Sequence, residues 1–158
     1  MLTVVAYSLS IGAAMEFYTI GYEGLSQQEF SAWLNRYGIT MVIDVRQIPF
    51  SRKKGFSKNG LSDFLTEKKI GYQSINQLGT PKPIRDNLKK TGDYSLFFKE
   101  YNKYLSSVSE ETDKLLDYIH QGEKIALLCF EKDPAQCHRS AIANEIMRRK
   151  EWLQVKHI

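Results

Sequence analysis

Apolar positions along the chain fall into two patterns. Continuous runs such as ITMVIDV (residues 39–45) and KIALLCF (residues 124–130) have the character of strands covered on both faces. Between them, apolar residues recur at helical spacing. In LSQQEFSAWLNRYG the residues Phe30, Trp33 and Leu34 make one stripe, Ser26 and Glu29 form a capping-box pair, and Gly38 is a natural stop. EFYTIGY (residues 16–22) predicts a first strand, LSDFLTEKK a short helix, and the stretch near YQSIN a further strand. The Gly- and Pro-containing segment QLGTPKPIRDNLKKTGD predicts a long loop or lid. Helices are expected around SLFFKEYNKYL and EETDKLLDYIH, then from about Cys137 onward, with WLQVKHI as a last strand.

This alternation predicts an α/β fold: a single domain with a mainly parallel central sheet flanked by helices. Its ligand crevice should lie at the C-terminal ends of the strands. The domain is expected over residues 15–158. Residues 1–14 (MLTVVAYSLSIGAA) read as a leader or upstream-start extension. They lack the positive charge that precedes the apolar run of a secretory signal, so a cleaved signal is the weaker alternative.

Composition narrows the function classes. A chain of 158 residues with 42% hydrophobic and 25% charged residues is ordinary for a globular domain and argues against disorder. The net charge of +4 implies a mild attraction to polyanions, too weak by itself to name a nucleic-acid binder. Two cysteines do not make a disulfide framework, which leaves a reducing cytoplasm as the default compartment. Nothing is long and apolar enough to cross a bilayer, so no membrane association is expected.

Candidate chemistry gathers at three strand exits. Asp44 and Arg46 are two residues apart and share a face, so Arg46 can present its fork to an anion while Asp44 orients it. An internal ion pair is the plainer reading. The following loop, SRKKGFSKNG, combines Ser51, Arg52, Lys53, Lys54 and Lys58 with Phe56, a mixture suited to phosphate contact and stacking but also to a solvated loop. Lys82, Arg85, Lys89 and Lys90 would enlarge the same positive surface if the fold brings them near. IGYEG has a Gly-x-x-Gly form but follows a strand and carries Glu23, so it reads as a strand-to-helix turn.

The third exit is CFEKDPAQCHR. Cys129 on its apolar strand reads most simply as a small core residue. Glu131 points from the strand end toward the presumed crevice. Cys137, His138 and Arg139 fall at the start of the last helix, where free amides favour anions and lower a thiol pKa. A cysteine-phosphatase loop is excluded, because the residues six positions from the cysteines are alanines, Ala135 and Ala143, rather than arginine. A metal site could draw on Cys129, Cys137, His138 and Glu131, but neighbouring Cys137 and His138 make an awkward chelate, and no metal is assigned. An anion site built from Arg139, the helix N-terminus and Arg46 fits best, with Cys137 or His138 as nucleophile or general acid/base.

With these residues in hand, the chain resembles the family catalogued as domain of unknown function 488. The matching pieces are TIGYEG, DVRQIPFSR, Phe56, Leu78-Gly79 and LLCFEKDPAQCHR, in that order. The family pattern looks like Gly-His-Ser where this chain has Gly21-Tyr22-Glu23, and often shows a glycine where Thr80 stands. The resemblance implies an α/β domain that groups Arg46, Ser51, Arg52, Glu131, Cys137, His138 and Arg139 in one pocket. It implies no reaction.

The leading expectation is a pocket for an anionic ligand, a nucleotide or nucleic-acid phosphate. Arg46, Ser51, Arg52 and Arg139 would bind the anion, Asp44 would orient, and Glu131, Cys137 and His138 would be the reactive groups if the protein is an enzyme. The alternative is a non-catalytic nucleic-acid-binding or regulatory module using the basic loop 51–58. A Cys/His metal-binding domain stands third. The sequence leaves the cofactor unknown.

Overall fold

A computed structural model describes residues 14–158 of the chain. The expected leader lies outside the described residues except for Ala14, and the first strand begins at Met15. Five strands, β1 (Met15–Gly21), β2 (Met41–Asp44), β3 (Gly71–Ser74), β4 (Ile125–Cys129) and β5 (Leu153–His157), form one sheet in the order β3-β2-β4-β1-β5. Every pairing is parallel. Six α-helices accompany them: α1 (Gln27–Arg36), α2 (Lys58–Glu67), α3 (Lys82–Thr91), α4 (Tyr94–Ser107), α5 (Ser109–His120) and α6 (Arg139–Arg149). The fold is therefore α/β with an all-parallel sheet. No helix among the described residues is long and apolar enough to cross a membrane.

Side-chain alternation along the buried strands creates two cores. Phe17, Ile43, Val45 and Leu127 face a layer built from α4, α5 and α6, with Tyr101, Leu115 and Ile142 among its members. Tyr18, Ile20, Val42 and Leu128 face α1 and α2 through Phe30, Leu34, Leu61 and Leu65. The capping box of α1 forms as the sequence suggests: Ser26 Oγ accepts from the Glu29 amide at 3.1 Å, and Glu29 accepts from the Ser26 amide at 2.8 Å.

One expectation is overturned. The Gly/Pro segment is no loop, because residues 82–91 are helix α3, lying against α4. Its prolines sit at the N-cap (Pro81) and in the first turn (Pro83), where a missing N–H costs nothing, and Gly92 closes it at φ 66°. Residues that look like loop punctuation are the helix's own start and stop.

Strand order decides where a ligand can sit. The connection leaving β2 runs outward to β3, and the one leaving β4 runs the other way, past β1 to β5. Loops at the C-terminal ends of adjacent β2 and β4 thus separate and leave a crevice between them.

Candidate functional site: the crevice over β2 and β4

A cavity of about 520 Å³ opens at this point. Among its lining residues are Arg46, Ser51, Arg52, Glu131, Cys137 and His138, so the fold brings six of the expected site residues to one place. Asp44 and Arg139 do not line it.

Asp44 lies beneath, fully buried, and grips Arg46 as a fork: Arg46 Nε donates to Oδ1 at 2.8 Å and Nη2 to Oδ2 at 2.6 Å. Tyr72 Oη donates to Oδ2 at 2.6 Å, and the Arg46 amide donates to Oδ1 at 3.1 Å. Arg46 Nη1 donates to Tyr22 Oη at 3.0 Å and to the Phe56 carbonyl at 2.8 Å. Four of the five guanidinium hydrogens are thereby engaged, and one on Nη2 remains. Burial works against the Arg46 charge, but Asp44 outweighs it and raises the arginine's pKa. Burial and the same carboxylate push the Tyr72 phenol up. Tyr22 stacks on Phe56 with centroids 4.6 Å apart, fixing the hydroxyl against Arg46.

Arg139 has the opposite geometry from the one expected of an anion ligand. It is 0% exposed, and its guanidinium donates to Thr19 Oγ1 at 3.2 Å, to the Lys132 carbonyl at 3.0 Å and to the Glu131 carbonyl. These contacts pin the loop after β4 to α6 and β1. Gly21 permits the same crossing: a Cβ there would stand 1.8 Å from the Glu131 carbonyl oxygen. The first glycine of IGYEG is thus a packing residue of a strand-to-helix turn.

On the other face of the sheet end, His138 Nε2 lies 2.8 Å from the Val45 carbonyl oxygen. A carbonyl can only accept, so Nε2 carries a hydrogen, and Nδ1 holds a lone pair when the ring is neutral. Nδ1 faces Cys137 Sγ at 3.8 Å and Cys129 Sγ at 3.9 Å. Tyr101 of α4 packs edge-on to the imidazole at 5.3 Å. Cys129 Sγ also lies 3.1 Å from Glu131 Oε2. Both cysteines are free and buried.

These four groups shift one another. At Cys137 burial opposes ionisation, but the neighbouring Cys129 thiol, His138 and Arg139 prevail and hold its pKa well below the usual cysteine value. The Cys129 thiol is pushed well up by its contact with Cys137 and by burial. Burial, then the negative character of Cys137, raises the Glu131 pKa. Burial would lower the His138 pKa, but Cys137 and the Val45 carbonyl reverse that and raise it.

The remaining wall is cationic. Arg52 and Lys53 come from the loop after β2, and Arg85 and Lys89 from α3. Among the described residues none of the four is in an ion pair. Arg85 donates through Nη2 to Gln47 Oε1 at 2.8 Å, while its buried Nε has no partner among the described residues. Ser51 Oγ accepts from the Lys53 amide at 3.1 Å and keeps its own hydrogen free among the described residues. Exposed Ile48, Phe50 and Phe130 form an apolar rim.

A family model described as "Domain of unknown function DUF488" matches residues 26–146, well over half of the chain. The chain belongs to this family. No curated protein and no solved structure matches it. Within the DUF488 match lie both motif segments of the crevice, from Asp44 to Arg52 and from Leu127 to Arg139, and the α3 arginine that faces them.

Sequence reasoning passed over two tyrosines at the base of the DUF488 crevice. Tyr22, just past β1, and Tyr72, within β3, carry hydroxyls that complete the Asp44–Arg46 cluster, and a tyrosine in an apolar run gives little sign of such a partner. Cys129, read most simply as core and weighed as a possible metal ligand, lines the crevice beside Cys137 and His138.

Proposed function

We propose that this DUF488 domain binds a phosphorylated small molecule of the nucleotide class in the crevice over β2 and β4. The observation that carries this reading is the convergence on one cavity of cations that have no ion-pair partner among the described residues, Arg52 and Lys53 after β2 and Arg85 and Lys89 on α3. Unpaired cations around a concave site attract anions and concentrate them there. Arg85 Nε and the Ser51 hydroxyl supply unsatisfied donors of the kind a phosphate oxygen accepts. The apolar rim, with Phe50 70% exposed, suits the flat ring that a nucleotide adds to its phosphates. Arg46 is the fixed back wall, held by Asp44, with one N–H left to donate. Arg139 belongs to the scaffold. Glu131, Cys137 and His138 face the ligand from the floor.

Titration calorimetry and thermal melts against nucleoside phosphates and short oligonucleotides test the reading. A nucleotide at about a hundred times its dissociation constant should add about 2.7 kcal/mol to stability. Arg85→Ala should weaken binding by about ten- to a hundredfold, the size of a lost charge-assisted hydrogen bond. No melting shift with any phosphate compound would overturn it. Binding of oligonucleotides alone, falling steeply with salt and insensitive to Arg85→Ala, would replace it with the nucleic-acid module centred on loop 51–58.

A further inference from the structure

The floor of the crevice holds a set of atoms that neither the anion reading nor the hydrogen bonding explains. Cys129 Sγ, Cys137 Sγ and His138 Nδ1 all lie within 4.8 Å of one another, on three buried residues. Cys129 has one hydrogen to give, and Glu131 Oε2, Cys137 Sγ and His138 Nδ1 all stand around it. From the ordinary zinc–sulfur and zinc–imidazole bond lengths, two ligand atoms at a tetrahedral angle sit about 3.6 Å apart. The imidazole-to-sulfur gaps of 3.8 and 3.9 Å come within a few tenths of an ångström of that spacing.

The imidazole is also prepared as a ligand. Metal-binding histidines commonly donate their second ring N–H to a carbonyl or carboxylate, which fixes the ring and leaves the other nitrogen free to coordinate. His138 does this through Nε2 to the Val45 carbonyl, and its Nδ1 faces both sulfurs. The objection that adjacent residues chelate poorly is met locally. Cys137 has an extended backbone (φ −140°, ψ 139°) and His138 turns into α6 (φ −60°, ψ −20°), a change of direction that lets neighbouring side chains converge.

We propose that Cys129, Cys137 and His138 bind a thiophilic divalent cation, Zn²⁺, at the floor of the crevice. The fourth position faces the cavity, with Glu131 Oε2, 3.1 Å from Cys129 Sγ, beside the set. Two sulfurs and one imidazole suit zinc over the harder Mg²⁺ and Ca²⁺, which favour oxygen. Three protein ligands lining an open cavity match a site with an exchangeable position better than a closed structural one. Zinc binding is separable from the phosphate reading: it rests on the floor residues, and the phosphate reading rests on the cationic wall.

The test uses the full chain, reduced and purified without chelator. Elemental analysis should find about one zinc per chain. After metal removal, Co²⁺ should bring up visible ligand-field bands and near-ultraviolet thiolate-to-cobalt charge transfer. The chain has only two cysteines, so that charge transfer reports on Cys129 and Cys137 alone. Its intensity should fall by about half in Cys129→Ser and in Cys137→Ser, and vanish in the double variant. His138→Gln should keep the thiolate band while loosening cobalt by at least about tenfold. If a variant fails to fold, the wild-type spectrum decides. Absence of zinc together with no cobalt bands in the folded, reduced wild type overturns the site, as does a double variant that takes up cobalt like the wild type. A wild type that binds cobalt but no nucleotide sinks the phosphate reading and keeps the metal site. One that binds nucleotide but no metal does the reverse.

Discussion

The two faces of the sheet end hold buried polar groups in opposite ways. On the α1–α2 face Asp44 accepts from the Arg46 amide, from Arg46 Nε and Nη2 and from Tyr72, while Tyr22 and the Phe56 carbonyl accept from Arg46 Nη1. Donors and acceptors match almost one for one. On the α4–α6 face Cys129, Cys137, His138 and Glu131 meet through sulfur contacts of 3.1, 3.8 and 3.9 Å, weak bonds that leave their polar atoms less fully engaged. A saturated cluster holds the chain in one shape, and an unsaturated one keeps capacity for something that binds. Proximity to a cavity does not separate the two, since Arg46 and Cys137 both line it. What separates them is whether their hydrogen bonds are already made.

Breaking the saturated side should have the largest effect on stability. Asp44→Ala would leave the Arg46 charge buried without its partner, at 6% exposure, and should cost about 3–5 kcal/mol, or about 6–20 °C in melting temperature. Tyr72→Phe removes one hydrogen bond to that carboxylate and should cost about 1.5–3 kcal/mol, read from the midpoint of urea unfolding at unchanged slope. The cationic rim should scarcely matter to folding. Exposed Arg52 and Lys89 changed to alanine should shift stability by no more than about 0.5 kcal/mol. The same two changes should weaken nucleotide binding. If Asp44→Ala proves as mild as Arg52→Ala, the contrast between a structural and a functional half collapses.

Much of the fold was legible because burial leaves a periodic trace. The apolar runs became β2 and β4, and the Ser26–Glu29 pair became a real capping box. Helix α3 was hidden by Pro81 and Pro83, since the same residues that break a helix inside also begin one. Strand order was beyond reach, because nothing in the local pattern of β4 says that it will enter between β1 and β2. The site was legible as motifs but not as roles. Arg46 and Arg139 look equally suited to an anion in the sequence. Only three-dimensional burial reveals that Arg139 is occupied by the carbonyls of the loop after β4 and that Arg85, from a presumed loop, faces the crevice instead. Likewise the pairing of Cys129 with His138 depends on a turn of backbone that spacing does not report.

The place of β4 also bears on how the chain reaches this shape. β1 pairs with β4 at Tyr18 and Ala126, and β2 pairs with β4 at Val42 and the same Ala126, while β1 and β2 do not pair with each other. During synthesis, the first three strands and five of the six helices therefore emerge before the strand that unites them. Until then β1 and β2 each present a hydrogen-bonding edge with no neighbour, the condition that invites pairing with other chains. Closure across such long sequence distances is slow compared with local helix formation. Both halves of the crevice come into being in that one late step, when β4 slides between strands that have been waiting for it.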